Sequence, residues 1–198
     1  MPSDLAALLC ARICHDLISP VGALGTALEV LDDESNADMH GDALDLVRLS
    51  ARQASAKLQF LRLAFGAGTS APGQIGQSAL MELIDGIYKD GKVSVVWDQT
   101  GIDLEKVHAR LLLNMIMMSA LSIPRGGEVV ISVSGTNTLE LKTVATGRRA
   151  RLEESVPKTL AGQSPEDGFD GRTIQPFYTG LIVRELKGKI AASIEEET

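Results

Sequence analysis

Two seven-residue repeats near the start of the chain set the first limit on its fold. Cys10, Cys14, Leu17, Val21, Leu24, Leu28 and Leu31 recur at alternating spacings of four and three; so do Leu44, Val47, Ala51, Ala54, Leu58, Leu61 and Phe65. That period belongs to α-helices with an apolar seam, not to strands. Between them Asp32-Asp33-Glu34-Ser35-Asn36-Ala37-Asp38 is polar and turn-rich, so the chain reverses there. Ser3 is placed to cap the first helix with Asp4 near its positive end, and Gly66-Ala67-Gly68 ends the second. The expectation is an antiparallel hairpin of two helices, each of about 30 residues and about 45 Å.

Such a hairpin cannot enclose a core alone, because Leu46, Phe60 and Leu63 add apolar flanks to the seams. Pairing two hairpins into a four-helix bundle buries that area, which predicts a homodimer. The competing arrangement lays the hairpin on the rest of its own chain. Pro20 sits inside the first helix and cannot donate to the carbonyl of Asp16, so a bend just after His15 and a free Asp16 carbonyl are expected.

A second stripe runs beside the first seam: Ala11, His15, Ser19, Gly22 and Thr26. His15 is its only large group. An imidazole flanked one turn either side by small residues can be approached closely by another macromolecule. The plain alternative is an ordinary surface or core histidine. Cys10 and Cys14 sit four apart on the seam, which suits packing better than an intrachain disulfide or a zinc finger, and points to a reducing cytoplasm.

Segment 67–76 reads as a linker. After it, residues 77–89 read as helix, 93–97 as strand, 104–121 as a strongly apolar helix, and 124–127 as a turn. Strands 128–134 and 139–145 follow as a hairpin across Gly135-Thr136-Asn137, then helices 153–160 and 173–186 and a last strand, 190–194. Helices interleaved with mostly antiparallel strands give a two-layer α/β sandwich over 77–198, so the fold class is α+β. At 44% hydrophobic residues the chain can build a core, and with 4% aromatic residues that core is aliphatic. A net charge of −7 argues against nucleic acid or an anionic membrane as partner. No apolar run is expected to span a bilayer, and no basic stretch precedes an apolar segment as in a secretion signal.

His15-Asp16-Leu17-Ile18-Ser19-Pro20 resembles the phosphoacceptor motif of sensor histidine kinases, and the order hairpin, linker, sandwich resembles their dimerisation and ATP-binding domains. Leu112-Leu113-Asn114 sits where the kinase asparagine box would begin, and Gly180 to Gly188 resembles the helix after the last glycine box. The departures are as informative. Where a magnesium-binding asparagine should follow, this chain has Met118, which cannot hold a hard cation. Ala145-Thr146-Gly147-Arg148 stands where an Asp-x-Gly-x-Gly would seat adenine, and no glycine-rich lid follows.

With the Cys14-His15-Asp16-Leu17-Ile18-Ser19-Pro20-Val21-Gly22 string and Leu121-Ser122-Ile123-Pro124-Arg125-Gly126-Gly127, nearly the whole chain resembles the alphaproteobacterial histidine phosphotransferases of the ChpT type. The resemblance implies a cytoplasmic homodimer with a degenerate ATPase-like domain. It implies a relay that takes a phosphoryl group from the receiver of a CckA-type hybrid kinase and passes it to CtrA- and CpdR-type response regulators of the cell cycle. Imidazoles as a class titrate near pH 6.5, so a neutral His15 is a nucleophile near neutrality. Magnesium belongs to the receivers, so no cofactor of the chain's own is expected. Asp16 is an orienter of the imidazole or a plain surface carboxylate. Arg12 meets a receiver's acidic rim or is simply solvated. Ala11, Ser19 and Gly22 contribute by being small. Arg148, Arg149 and Arg151 form a basic cluster, His40 and His108 begin helices, Asn114 is a local remnant, and Met115, Met117 and Met118 are core. An ATP-dependent sensor-type kinase and a non-catalytic dimeric interaction module are the competing functions.

Overall fold

Helix α1 (Pro2–Asp32) and helix α2 (His40–Ala64) form the expected hairpin, joined by a short 3-10 helix over Glu34–Met39. Asp33 caps that connection, accepting from the Ser35 amide and hydroxyl and from the Asn36 side chain. The structure is a computed structural model that describes residues 2–66, 73–99, 101–135, 138–165, 168–171 and 173–195. The expected Ser3 cap, the first six linker residues and the turn at Thr136-Asn137 lie outside the described residues or side chains.

The seams divide between two faces. On α1, Leu17, Leu24 and Leu31 are half-buried beside Pro20 and Ala27, whereas Cys10, Cys14, Val21 and Leu28 are exposed. On α2, Val47, Ala54 and Leu61 turn inward with Ala43, Ser50 and Ala64, whereas Leu44, Ala51 and Leu58 are exposed. From Cys14 on α1 and from Leu44 to Leu61 on α2, exposed and covered seam residues alternate. The exposed ones form apolar strips, 54% exposed at Val21, 51% at Leu28 and 54% at Leu58.

The root of the hairpin is not free-standing. Phe60, Leu61 and Ala64 share one core with Leu80, Ile84, Leu112, Leu113, Ile116 and the strand residues Val129 and Ile131. After it come β1 (Gln74–Ile75), α3 (Gln77–Tyr88), β2 (Val93–Trp97), β3 (Leu104–Glu105), α4 (Lys106–Ser122), β4 (Gly127–Ser134), β5 (Glu140–Thr146), α5 (Ser155–Leu160) and α6 (Ile174–Glu185). The main sheet has the order β2-β4-β5. Strand β2 runs parallel to β4, with Val93 opposite Gly127, and β5 is antiparallel to β4, with Glu128 opposite Thr146. A separate two-residue ladder pairs β1 with β3. It places Gln74 and Ile75, expected as linker, and Leu104, expected as helix, in strands.

Helix α4 explains its unbroken apolar composition. It packs on the sheet by Leu112, Leu113 and Ile116, and Leu111 packs on α6 with Tyr178, Ile182 and Val183. Met117 is buried, and Met115 and Met118 are half-buried. The Pro124-to-Gly127 turn requires its glycines. Gly126 and Gly127 have φ of +92° and +146°, and a Cβ on Gly127 would lie 2.1 Å from the Thr146 carbonyl oxygen. The last expected strand, 190–194, joins neither sheet among the described residues. Ile190 instead packs against the α4–α6 cluster, whereas Ile194 is exposed.

One further expectation is corrected. Helix α1 is long and apolar enough to cross a bilayer by length and composition, with a mean hydropathy of 1.4 over its most apolar window. It packs along α2 and touches α6, and it carries Arg12 and Asp16, groups that a hydrocarbon core would penalise.

Candidate phosphoacceptor site

His15 projects from the outer side of α1, its side chain 81% exposed. Its Nδ1 lies 3.2 Å from Asp16 Oδ1. The other carboxylate oxygen of Asp16 accepts from Arg12 Nε at 3.1 Å, an i,i+4 contact along the helix. Arg12 also donates through Nη1 to the Gly171 carbonyl, 3.3 Å away in the segment before α6. Asp16 and Arg12 are largely covered, at 20% and 15% exposure. A carboxylate accepts only, so its bond to Nδ1 requires Nδ1–H, and that tautomer leaves the Nε2 lone pair facing solvent. The arrangement leaves the ring oriented by one hydrogen bond and its far edge open to approach.

The surroundings of Asp16 come from several parts of the chain. Lys57 of α2 donates to its carbonyl oxygen at 3.0 Å. That oxygen, expected free because of Pro20, is therefore taken. Tyr88, the last residue of α3, is pushed far above the ordinary phenol range, first by burial and then by the Asp16 carboxylate, with Arg12 opposing. Its ring meets Phe60 edge-on at 6.4 Å.

Of the residues singled out from sequence, His15, Asp16 and Arg12 are brought together. Ala11, Ser19 and Gly22 are exposed around them, and a Cβ on Gly22 would meet nothing within 4 Å. Arg12 is turned inward to Asp16 and Gly171 rather than outward. Ile18, 71% exposed one turn from His15, was not singled out; its signal is an apolar residue that neither seam claims. Lys57 and Gly171 carry no local signal. Cys10 and Cys14 are free thiols. Arg148 and Arg149 are exposed in the turn after β5, and Arg151 lies 3.9 Å from Glu153. His40 and His108 stand in the first turns of α2 and α4, His108 3.8 Å from Glu105.

The place of the kinase asparagine is spent on packing. Asn114 is fully buried, and its amide donates to the Ala64 carbonyl at 2.7 Å and to the Arg110 carbonyl at 2.8 Å. Gln175 of α6 closes on it from the other side, 3.5 Å from its oxygen. The amide nitrogen is thus committed to backbone carbonyls of α2 and α4, and one turn on Met118 offers a thioether, a poor ligand for a hard cation.

Residues 78–198 match the histidine phosphotransferase C-terminal domain family. The chain is also 40% identical over 190 residues to the protein phosphotransferase ChpT of Brucella abortus (strain 2308), covering 95% of this chain and 89% of that protein. The chain belongs to the histidine phosphotransferase family. A solved structure of a bacterial phosphotransferase superimposes with a TM-score of 0.80 at 35% identity, over 94% of this chain and 89% of that one. The phosphotransferase is therefore of the ChpT type, and its mixed α+β fold agrees with that structure. Its activity is phosphoryl transfer, and within this fold His15 is the exposed imidazole held by a carboxylate.

Proposed function

We propose that His15 receives a phosphoryl group from the receiver aspartate of a hybrid kinase and passes it to the aspartate of a response regulator. The single observation that carries this is the geometry of His15: Nδ1 tied to Asp16 and Nε2 open on a face of small residues. Nε2 attacks phosphorus in line. The bond from phosphorus to the aspartyl oxygen breaks, and the carboxylate leaves with the electron pair. The ring, now cationic, keeps its Nδ1 proton against Asp16. The reverse step regenerates the neutral ring. Such transition states are loose and charged, so positioning and electrostatics do most of the work.

Residues 1–66 act as the dimerisation and phosphoacceptor part, and 77–198 as a nucleotide-free domain beside it. Magnesium is supplied by the receiver. Ala11, Ile18, Ser19 and Gly22 line the face on which a receiver seats. By the resemblance described above, the donor is of the CckA type and the acceptors of the CtrA and CpdR types, in a cytoplasmic cell-cycle relay with neither nucleic acid nor membrane as partner. The open strips Val21–Leu28 and Leu44–Leu58 fit a second copy of the hairpin, giving a four-helix bundle.

The test is incubation with a phosphorylated receiver. Acid-labile label should appear on the chain, vanish with His15→Ala, and not form from ATP and magnesium alone. Label on H15A, or ATP-driven autophosphorylation, would overturn the proposal.

A further inference from the structure

Asp16 is held at its backbone as well as its carboxylate, and the two anchors come from different helices. Pro20 has no N–H, so the Asp16 carbonyl lacks the donor that an α-helix supplies from four residues ahead. Lys57 reaches across from α2 and donates Nζ to that oxygen at 3.0 Å. The lysine is half-buried, and α3 crowds the same stretch of α2: a Cβ on Gly86 would lie 3.1 Å from that of Ala56. Its aliphatic stem lies beside that helix contact, lining a hollow with Gln53, Gly86 and Ile87, and the ammonium reaches the Asp16 carbonyl.

We infer that Lys57 is a positioning residue for phosphoryl transfer: it makes the hydrogen bond that Pro20 denies to Asp16, and so fixes the Asp16–His15 pair relative to α2. In an unbroken helix this bond would be internal to α1 and would tie it to nothing else. Here the proline opens the position, and the replacement donor pins the turn carrying His15 to its neighbour. Without Lys57, α1 is free to flex at Pro20 and Asp16 no longer holds one orientation of the imidazole. The exposed docking residues are untouched, so the loss falls on the transfer step and not on receiver binding. This inference rests on His15 being the phosphoacceptor.

The experiment measures transfer from a phosphorylated receiver to the full chain, at saturating and limiting receiver, for wild type, Lys57→Met, Lys57→Arg, Pro20→Ala and the double variant P20A/K57M. K57M should lower the maximal rate about tenfold, the scale of one lost hydrogen bond to a charged group, with the half-saturating receiver concentration within about twofold of wild type. K57R should recover most of the rate. In the P20A background the backbone amide gained at position 20 can take the carbonyl, so K57M should cost less than about twofold there. Nitrogen NMR of His15 should show the Nδ1–H tautomer depleted in K57M and restored in P20A/K57M. Should K57M fail to fold, Lys57→Ala, which likewise has no donor, gives the same comparison in both backgrounds. Wild-type rate and tautomer in the lysine variants, or a loss that Pro20→Ala leaves unchanged, refutes the inference while leaving the phosphoacceptor reading intact. Absence of label on wild type would instead bring down the reading of His15 itself.

Discussion

Replacing Asp16 by Asn removes one charge and almost no volume, and it isolates what the carboxylate does. The two oxygens of Asp16 serve two donors, Arg12 Nε at 3.1 Å and His15 Nδ1 at 3.2 Å. An amide can satisfy only one of them. If its oxygen stays on Arg12, its NH₂ faces Nδ1 and favours the tautomer with the proton on Nε2, which has no lone pair there to attack phosphorus. If it flips, its NH₂ opposes the guanidinium. Either way the ring also loses the anion that stabilises it when it becomes cationic. Two unit charges about 4 Å apart attract by about 1 kcal/mol in water and about 4 kcal/mol at a surface-like dielectric. His15 is 81% exposed and Arg12 shares the carboxylate, so the lower part of that range applies. A cost of about 1–2 kcal/mol corresponds to about a five- to thirtyfold lower rate. Rapid-quench measurement of label transfer from a saturating phosphorylated receiver reads this directly. A D16N rate within twofold of wild type would refute the orienting role.

Asn114→Ala should destabilise the fold by about 2–4 kcal/mol in chemical denaturation, because it opens a hole and strands the Ala64 carbonyl, while transfer per folded molecule stays near wild type. Gly180→Ala should cost about 3 kcal/mol in the same assay, since its Cβ would lie 2.1 Å from the Leu160 carbonyl oxygen where α5 meets α6. Glutamates at Leu28 and Leu58 together should give a monomer by analytical ultracentrifugation with native helical signal. Both tyrosines, Tyr88 and Tyr178, have phenols raised from the usual 10.0, chiefly by burial. The unfolded chain therefore loses these protons first, and stability falls as pH rises through 10. Phenolate absorbance should rise together with loss of helical signal, not before it.

The hairpin was legible because a seven-residue repeat is a local property, and the strands of the main sheet because their alternation and glycine turns are local too. What a seam packs against is not local: the pattern is the same for Leu24, which faces α2, and Leu28, which faces out. The strand expected at 190–194 failed for the same reason, since Ile190 satisfies its apolar character against α6 without a ladder. At the site, His15 was visible from its neighbouring small residues, and Asp16 only through the resemblance of the His15-to-Pro20 string to a phosphoacceptor motif. Lys57 stands 41 positions from Asp16 and Gly171 stands 159 from Arg12, so no window of sequence brings them together. Arg12 looked like a surface charge because its cover, the chain before α6, arrives only on folding.

The rooting of α2 in the core it shares with the sheet has a consequence for how the histidine is served. The lobe is joined to the hairpin through Phe60, Leu61 and Ala64 and reaches α1 again where Gly171 accepts from Arg12, one turn from His15. A protein that docks over His15 therefore meets a platform fixed at two points of the hairpin, its angle set at folding.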